Sequence, residues 1–350
     1  MATSRHVSWF ADIGLQDRPR VGGKGGSLGE LQRGGLPVPP GFVVITSAFE
    51  QCLAAVEREA PVRSTVEALD AQDLPGIQAT SEMLRKRVAQ ADLPPELIGD
   101  VTAAHTTLCG DDPRHPVAVR SSATTEDASD ASFAGLQDTY LWVRGTGETI
   151  RMIRSCWASL YSVESISYRR QRHIPEASVA MAVVVQRMVE ARSAGVMFTR
   201  SPVTGDRSVI TIEGSWGLGS AVVGGEVTPD RWVVGKITGE ISTRDISDKA
   251  IHHLPREAGG VETVAVPEEQ RRIPCMNDTE LQSLREIARK VERLYGRAQD
   301  IEWAVDRARG EIFLLQSRPE TVWSARDASP VARAADNPSL HVMSIFGGRS

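Results

Sequence analysis

Three places in this sequence carry side chains suited to a polyanion and its counter-ion: a lysine among glycines, an arginine heading a hydroxyl-rich run, and a carboxylate and an amide on neighbouring C-terminal segments. The lysine is Lys24, in VGGKGGSLGEL, residues 21–31. Gly22, Gly23, Gly25 and Gly26 leave the backbone around it nearly bare, and Ser27 is predicted to cap a short helix that carries Leu28 and Leu31 on one face. An ammonium at a helix N-terminus adds its charge to the helix dipole, and both favour phosphate. The segment lacks the G-x-x-x-x-G-K-[ST] order of a P-loop, and its composition also suits a flexible turn with a solvated lysine.

The arginine is Arg120, in VAVRSSATTEDASDASFAGLQDTY, residues 117–140. Val117 and Val119 alternate as in a strand, and the guanidinium then offers a fixed fork of donors. The hydroxyls of Ser121, Ser122, Thr124, Thr125 and Thr139 can donate, and Gly135 with the small residues before it permits a tight loop whose amides form an anion-binding concavity. The same residue types also make ordinary solvated loops.

The carboxylate and the amide come from two alternating segments, DIEWAV (300–305) and EIFLLQSR (311–318), joined by Asp306–Gly310. A hairpin turning there sets Val305 opposite Glu311 and Glu302 opposite Leu314, with Gln316 as the diagonal neighbour of Glu302 at roughly 7 to 8 Å. Two oxygen ligands converging in this way suit Mg²⁺, which takes one or two protein oxygens alongside phosphate and water. Arg318 emerges on the same face, where it would meet those phosphates, and Ala304, Ile312 and Leu314 are expected to cover that face. The alternative is an edge hairpin with polar residues on its wet side.

These residues need a scaffold, and the apolar pattern outlines one. Pro37, Pro39 and Pro40 stiffen a link into a strand at 42–46; residues 47–110 read as helices broken near 74–76 and 94–95. Ile150, Ile153, Trp157 and Leu160 recur at helical spacing, which predicts one helix over 148–170. Residues 177–189, 194–199 and 208–213 read as strands, and 231–246 as a hairpin turning at Thr238 and Gly239. Between them lies the glycine-rich EGSWGLGSAVVGG, entered by Glu213. A long helix follows, with a capping box expected at Thr279 and Gln282 and a stop at Gly296.

Composition narrows the class. At 350 residues, 41% hydrophobic and 24% charged, the chain can bury one large core or two medium ones. A net charge of -5 and a pI near 5.9 argue against a general nucleic-acid or membrane-surface binder. Cys52, Cys109, Cys156 and Cys275 lie far apart with no C-x-x-C spacing, so neither a zinc knuckle nor a disulfide framework is indicated. No apolar run is long enough to span a bilayer and the N-terminus lacks a signal-peptide core, so a cytoplasmic location is expected.

In order and spacing, VGGKGGSLGEL with GLPVPPGFVV, the run from Val117 to Leu141, GVMFTRSPVTGD, WGLGSAVV, and DIEWAV with LLQSRP resemble the ATP-binding part of phosphoenolpyruvate synthase, pyruvate phosphate dikinase and rifampin phosphotransferase. The resemblance covers about residues 9–323. It implies an α/β (α+β) ATP-grasp fold with ATP and Mg²⁺ between two subdomains: residues 1–188 with the phosphate-binding loops, residues 189–324 with the metal-binding hairpin, and a tail or partner-docking segment at 325–350. Within that pattern Lys24 and Arg120 are the triphosphate-binding cations, and Gly135, Gln137, Asp138 and Thr139 form the phosphate-covering loop. Gln186, Arg187, Met188 and Val189 meet the adenine, and Glu213 faces the ribose. Glu302 and Gln316 are the metal pair, with Arg318 beside them. Leu136 and Ser220 depart from the pattern, the latter standing where relatives usually carry glutamate after Gly-Leu-Gly.

Members of this family split ATP into AMP, phosphate and a phosphohistidine. None of His6, His105, His115, His173, His252, His253 and His341 lies in the setting that resembles the family's phosphorylated histidine. The resemblance therefore implies a separate subunit carrying that histidine, which passes phosphate to a small organic acid or phenol. A self-contained ATP-grasp kinase or ligase, and a nucleotide-binding regulator without catalysis, are the alternatives; the full set of Lys24, Arg120, Glu302, Gln316 and Arg318 disfavours the regulator.

Overall fold

Alternating apolar residues build two antiparallel sheets from successive parts of the chain, and the computed structural model describes residues 4–124, 127–128, 131–132, 138–321 and 323. The first sheet uses β1 (Val7–Trp9), β2 (Gly41–Val44), β3 (Val117–Ala123), β6 (Thr139–Val143) and β7 (Met181–Arg187) in the order β1-β2-β7-β3-β6; β4 (Asp127–Ala128) and β5 (Ala131–Ser132) pair with each other apart from it. One face packs Val117, Val119, Val183 and Val185 against α2 (Thr46–Glu57), α4 (Leu74–Ala89), α5 (Pro95–Cys109), α6 (Thr146–Ser159) and α7 (Val163–Gln171), with α3 (Arg63–Glu67) at the margin. The other face packs Val43, Ala182 and Val184 against α1 (Arg18–Arg33) through Val21 and Leu28. Arg120 and Ser122 lie opposite Val184 and Ala182, so both belong to the α1 face.

The second sheet has six strands in the order β11-β10-β9-β8-β14-β15: β8 (Ala191–Phe198), β9 (Val209–Trp216), β10 (Asp230–Gly235), β11 (Ile241–Asp245), β14 (Gln299–Asp306) and β15 (Ile312–Pro319). The single turn α8 (Ser220–Val223), the hairpin of β12 (Ile251–Pro255) and β13 (Val261–Ala265), and the short α9 (Glu268–Arg271) lie between β9 and α10 (Asp278–Tyr295) in sequence. One face buries Met197, Ile212, Ile301, Trp303 and Leu314 under Leu281, Leu284, Ala288 and Val291 of α10. The opposite face carries the polar residues that concern the site.

Several local expectations change. Ser27 is not a helix cap: α1 already starts at Arg18, is interrupted at Gly22 by a φ of 72°, and takes Ser27 inside its second part. The expected single helix over 148–170 is two, because Ser162 caps α7 and accepts from Ser165 N–H at 3.1 Å. The capping box of α10 sits two residues upstream of its expected place, with Asn277 and Glu280 exchanging hydrogen bonds at 2.9 Å. Gly296 ends that helix at a φ of 66°, as expected.

Gly22 matters most for the site. A Cβ there would come within 2.1 Å of Ser122 O, and the positive φ is itself unfavourable for any other residue. Gly22→Ala is expected to destabilise the chain by about 2 kcal/mol or more, combining a left-handed penalty with displacement of β3. Urea unfolding would check it, and a change below about 0.5 kcal/mol would show that α1 and β3 do not depend on this close approach.

Candidate functional site

The break at Gly22 turns Gly23, Lys24 and Gly25 into the first turn of a helix that points at β3. Gly25 N–H donates to Ser122 Oγ at 3.1 Å, and Ser122 Oγ donates to Val21 O at 2.9 Å. Ser122 therefore ties the lysine-bearing turn to the strand two residues beyond Arg120. Arg120 is 8% exposed and crosses to the second sheet, donating from Nη2 to Glu302 Oε2 at 2.7 Å and from Nη1 to Leu315 O at 2.8 Å.

The C-terminal hairpin differs from the expected register. Val305 pairs with Ile312 and Trp303 with Leu314, and an irregularity between Glu302 and Trp303 then sets Glu302 directly opposite Gln316. The extra residue is Leu315, a bulge of the kind that re-aims side chains and frees a backbone group. Its carbonyl is the one Arg120 binds. Ile312 and Leu314 consequently lie on the α10 face, not over Glu302; Ala304 opposes Phe313 instead.

Register also gathers residues from further strands. Glu302 opposes Val196 of β8, and Val196 opposes Glu213 of β9, so Glu213, Glu302 and Gln316 share one transverse row and one face. Glu213 and Glu302 are two strands apart, about 9 to 10 Å between backbones. Burial pushes the Glu213 carboxyl above its usual range, with Arg231 pulling the other way. The next row holds Asp300 opposite Arg318, whose Nε donates to Asp300 Oδ2 at 3.3 Å.

Asp300 is the residue that motif reasoning passed over, although it stands two positions before Glu302 on an alternating strand. Burial pushes its carboxyl up to about 6, against the pull of Arg318. The folded chain thus holds this proton more tightly than the unfolded chain, and stability falls as pH rises from about 3.8 to about 6. Asp300→Asn is expected to be more stable than the parent at pH 7, with the difference shrinking toward pH 4. Urea midpoints at the two pH values would check this, and a loss at pH 7 would mean that the ion pair with Arg318 outweighs burial.

The remaining expected residues fall on the rims. Asp138 accepts from Tyr140 OH at 2.8 Å through its carboxylate and from Ser121 N at 3.2 Å through its carbonyl, and Thr139 opposes Arg120. Gly135 and Gln137 lie outside the described residues. Gln186 is buried on the α1 face and donates to Pro39 O at 3.3 Å. Arg187 approaches His115 Nδ1 at 3.5 Å on the rim. Met188 and Val189 join Trp142, Leu218, Phe313 and Leu315 in an apolar patch shared by both sheets. Such a patch beside polar groups suits a flat heterocycle.

Among the described residues no cluster of three or more His, Cys, Asp or Glu could hold a metal ion. A pair such as Glu302 and Gln316 fits Mg²⁺ that arrives on phosphates, which supply the other ligands. Arg120 is paired with Glu302, and its planar fork has the geometry that suits carboxylate or phosphate oxygens.

The two antiparallel sheets of this α+β chain are joined where Arg120 of one meets the Glu302 carboxylate and the Leu315 carbonyl of the other. The chain belongs to the family described as pyruvate phosphate dikinase, AMP/ATP-binding domain, which matches residues 18–338. It is similar to the probable phosphoenolpyruvate synthase of Methanothermobacter thermautotrophicus, 40% identical over 320 residues that cover 91% of this chain and 46% of that protein. Phosphoenolpyruvate synthase of Aeropyrum pernix is 38% identical over 369 residues, covering 96% of this chain and 45% of its own. The chain spans less than half the length of these relatives. Among solved structures, the biotin carboxylase domain of Hydrogenobacter thermophilus 2-oxoglutarate carboxylase aligns over 86% of this chain and 40% of its own at a TM-score of 0.29 and 10% identity. No helix among the described residues is long and apolar enough to cross a membrane.

Proposed function

We propose that the chain binds Mg²⁺-ATP between its two sheets and performs the nucleotide-dependent half of a phosphoenolpyruvate synthase-like phosphotransfer. The observation that carries this reading is the meeting of Arg120 with Glu302 across elements far apart in sequence, with Gln316 directly opposite Glu302 on the neighbouring strand. Lys24 and Arg120 would hold the β and γ phosphates, with Arg318 at their outer side. Asp138 and Thr139 flank the loop that would cover them, together with Gly135 and Gln137. Met188, Val189 and the backbone after Gln186 and Arg187 would take the adenine, and Glu213 the ribose. Glu302 and Gln316 would hold the Mg²⁺ that comes with the nucleotide. That ion neutralises charge on the phosphate oxygens; the protein supplies position and fixed donors, which is most of what phosphoryl transfer requires.

In the proposed reaction ATP, water and a histidine give AMP, phosphate and a phosphohistidine. The histidine belongs to a separate subunit, which passes the phosphoryl group to a small organic acid or phenol. One observation supports a histidine supplied from outside the described cleft: His6 and His105 are engaged elsewhere, with Asp100 and Thr146. The test is the nucleotide product formed when the chain is given ATP, Mg²⁺ and a candidate histidine-bearing protein. AMP supports the dikinase-like reaction, whereas ADP would indicate a kinase or ligase and overturn it.

A further inference from the structure

β15 is the last strand of its sheet, so one edge of its backbone has no strand beside it. Residues of the first sheet's unit supply the missing partners. Leu314 N–H donates to Pro37 O at 2.8 Å, Leu315 O accepts from Arg120 Nη1 at 2.8 Å, and Ser317 O accepts from Ser27 Oγ at 2.6 Å. These contacts straddle Gln316 and adjoin Arg318. Ser27 is 2% exposed, in a place where an unpaired carbonyl cannot turn to water instead.

The direction of each bond follows from proton supply. A carbonyl can only accept, so the one hydroxyl proton of Ser27 goes to Ser317 O. The Tyr295 hydroxyl, at the end of α10, then donates toward Ser27, lying 2.9 Å from its Oγ and 3.1 Å from its carbonyl oxygen. One serine is thus held by β15 and α10 together. It lies three residues after Lys24 on the same helix, about 4.5 Å along the axis, and beyond the break at Gly22. Gly25, between the two, is fixed to Ser122 on β3.

We propose that Ser27 is a positioning residue of the phosphate site. Its hydroxyl sets the separation between Lys24 on α1 and Gln316 and Arg318 on β15, and it touches no reacting atom itself. Phosphate groups gripped from both sides are sensitive to that separation, because a misplacement of about 1 Å can cost 100-fold in a reaction that depends on orientation. The proposal rests on reading the cleft as a Mg²⁺-ATP site.

Two measurements on the full chain separate the proposal from that reading: hydrogen exchange without nucleotide, and calorimetry with Mg²⁺-ATP and with AMP. In Ser27→Ala, exchange over residues 312–319 should accelerate about tenfold while β7 and β9 stay as protected as before. Affinity for Mg²⁺-ATP should fall about tenfold with AMP affinity held within about twofold, since AMP lacks the phosphates gripped from both sides. Tyr295→Phe, which keeps the Ser27 proton, should move both quantities in the same direction by less. Unchanged exchange at 312–319, or acceleration spread over the whole chain, would overturn the proposal, the latter by showing that the hydroxyl holds the fold and not the site. If exchange changes locally but neither protein binds nucleotide, the functional reading fails and the structural link between α1 and β15 stands.

Discussion

Replacing Glu302 or Gln316 by alanine is expected to reduce Mg²⁺-dependent ATP turnover by about 100-fold or more, a loss comparable to removing one fixed charge-stabilising group from an active site. The two variants should differ in stability. Gln316 is half-buried on an edge strand, so its removal should leave the unfolding midpoint nearly unchanged. Glu302→Ala strips a 2.7 Å partner from an arginine that is 8% exposed, and should cost about 1 to 3 kcal/mol even though Arg120 keeps Leu315 O. Raising Mg²⁺ should recover part of the lost turnover in both. Near-parental turnover in both variants at limiting Mg²⁺ would show that the pair does not serve the metal.

Arg120→Ala is expected to lower turnover by about 100- to 1000-fold while AMP affinity changes by less than about threefold. In the proposed site the guanidinium would address charge that develops on the phosphates, whereas the apolar patch around Met188 and Leu315 would address the base. Lys24→Ala should behave alike. Arg120→Lys should recover the charge but not the fork, leaving the Leu315 carbonyl or the Glu302 carboxylate unsatisfied. Calorimetry with ATP and AMP checks the assignment; loss of AMP binding as complete as loss of ATP binding would place these cations elsewhere than on the outer phosphates.

The meeting of Glu302 and Gln316 was legible because strand alternation depends on parity. Parity alone gave the right pair by an incomplete route: the hairpin was expected to place them diagonally, and the bulge at Leu315 makes them direct partners. A bulge leaves little local signal in Phe-Leu-Leu-Gln, where any of three apolar residues could be the extra one. The kink in α1 was half legible. Four glycines around Lys24 mark a backbone needing room, but only the approach of Ser122 explains why the break falls at Gly22 and not at Ser27. Ser27 has the residue type of a cap and the position of a tether, and its partners lie 290 and 268 residues away. The row joining Glu213 to Glu302 depends on register through β8, which no spacing within one motif encodes. Asp300 was within reach, since i and i+2 on a strand share a face.

The most direct measurement is transfer from ATP labelled at the β phosphate. The pure chain is incubated with labelled ATP and Mg²⁺, alone and with a candidate histidine-bearing protein, and acid-labile label is followed on each polypeptide. The expected result is AMP together with label on the second protein, abolished by Glu302→Ala, and no stoichiometric label on this chain. Stoichiometric label on this chain alone, or label transfer that survives both Glu302→Ala and Arg120→Ala, would contradict the account.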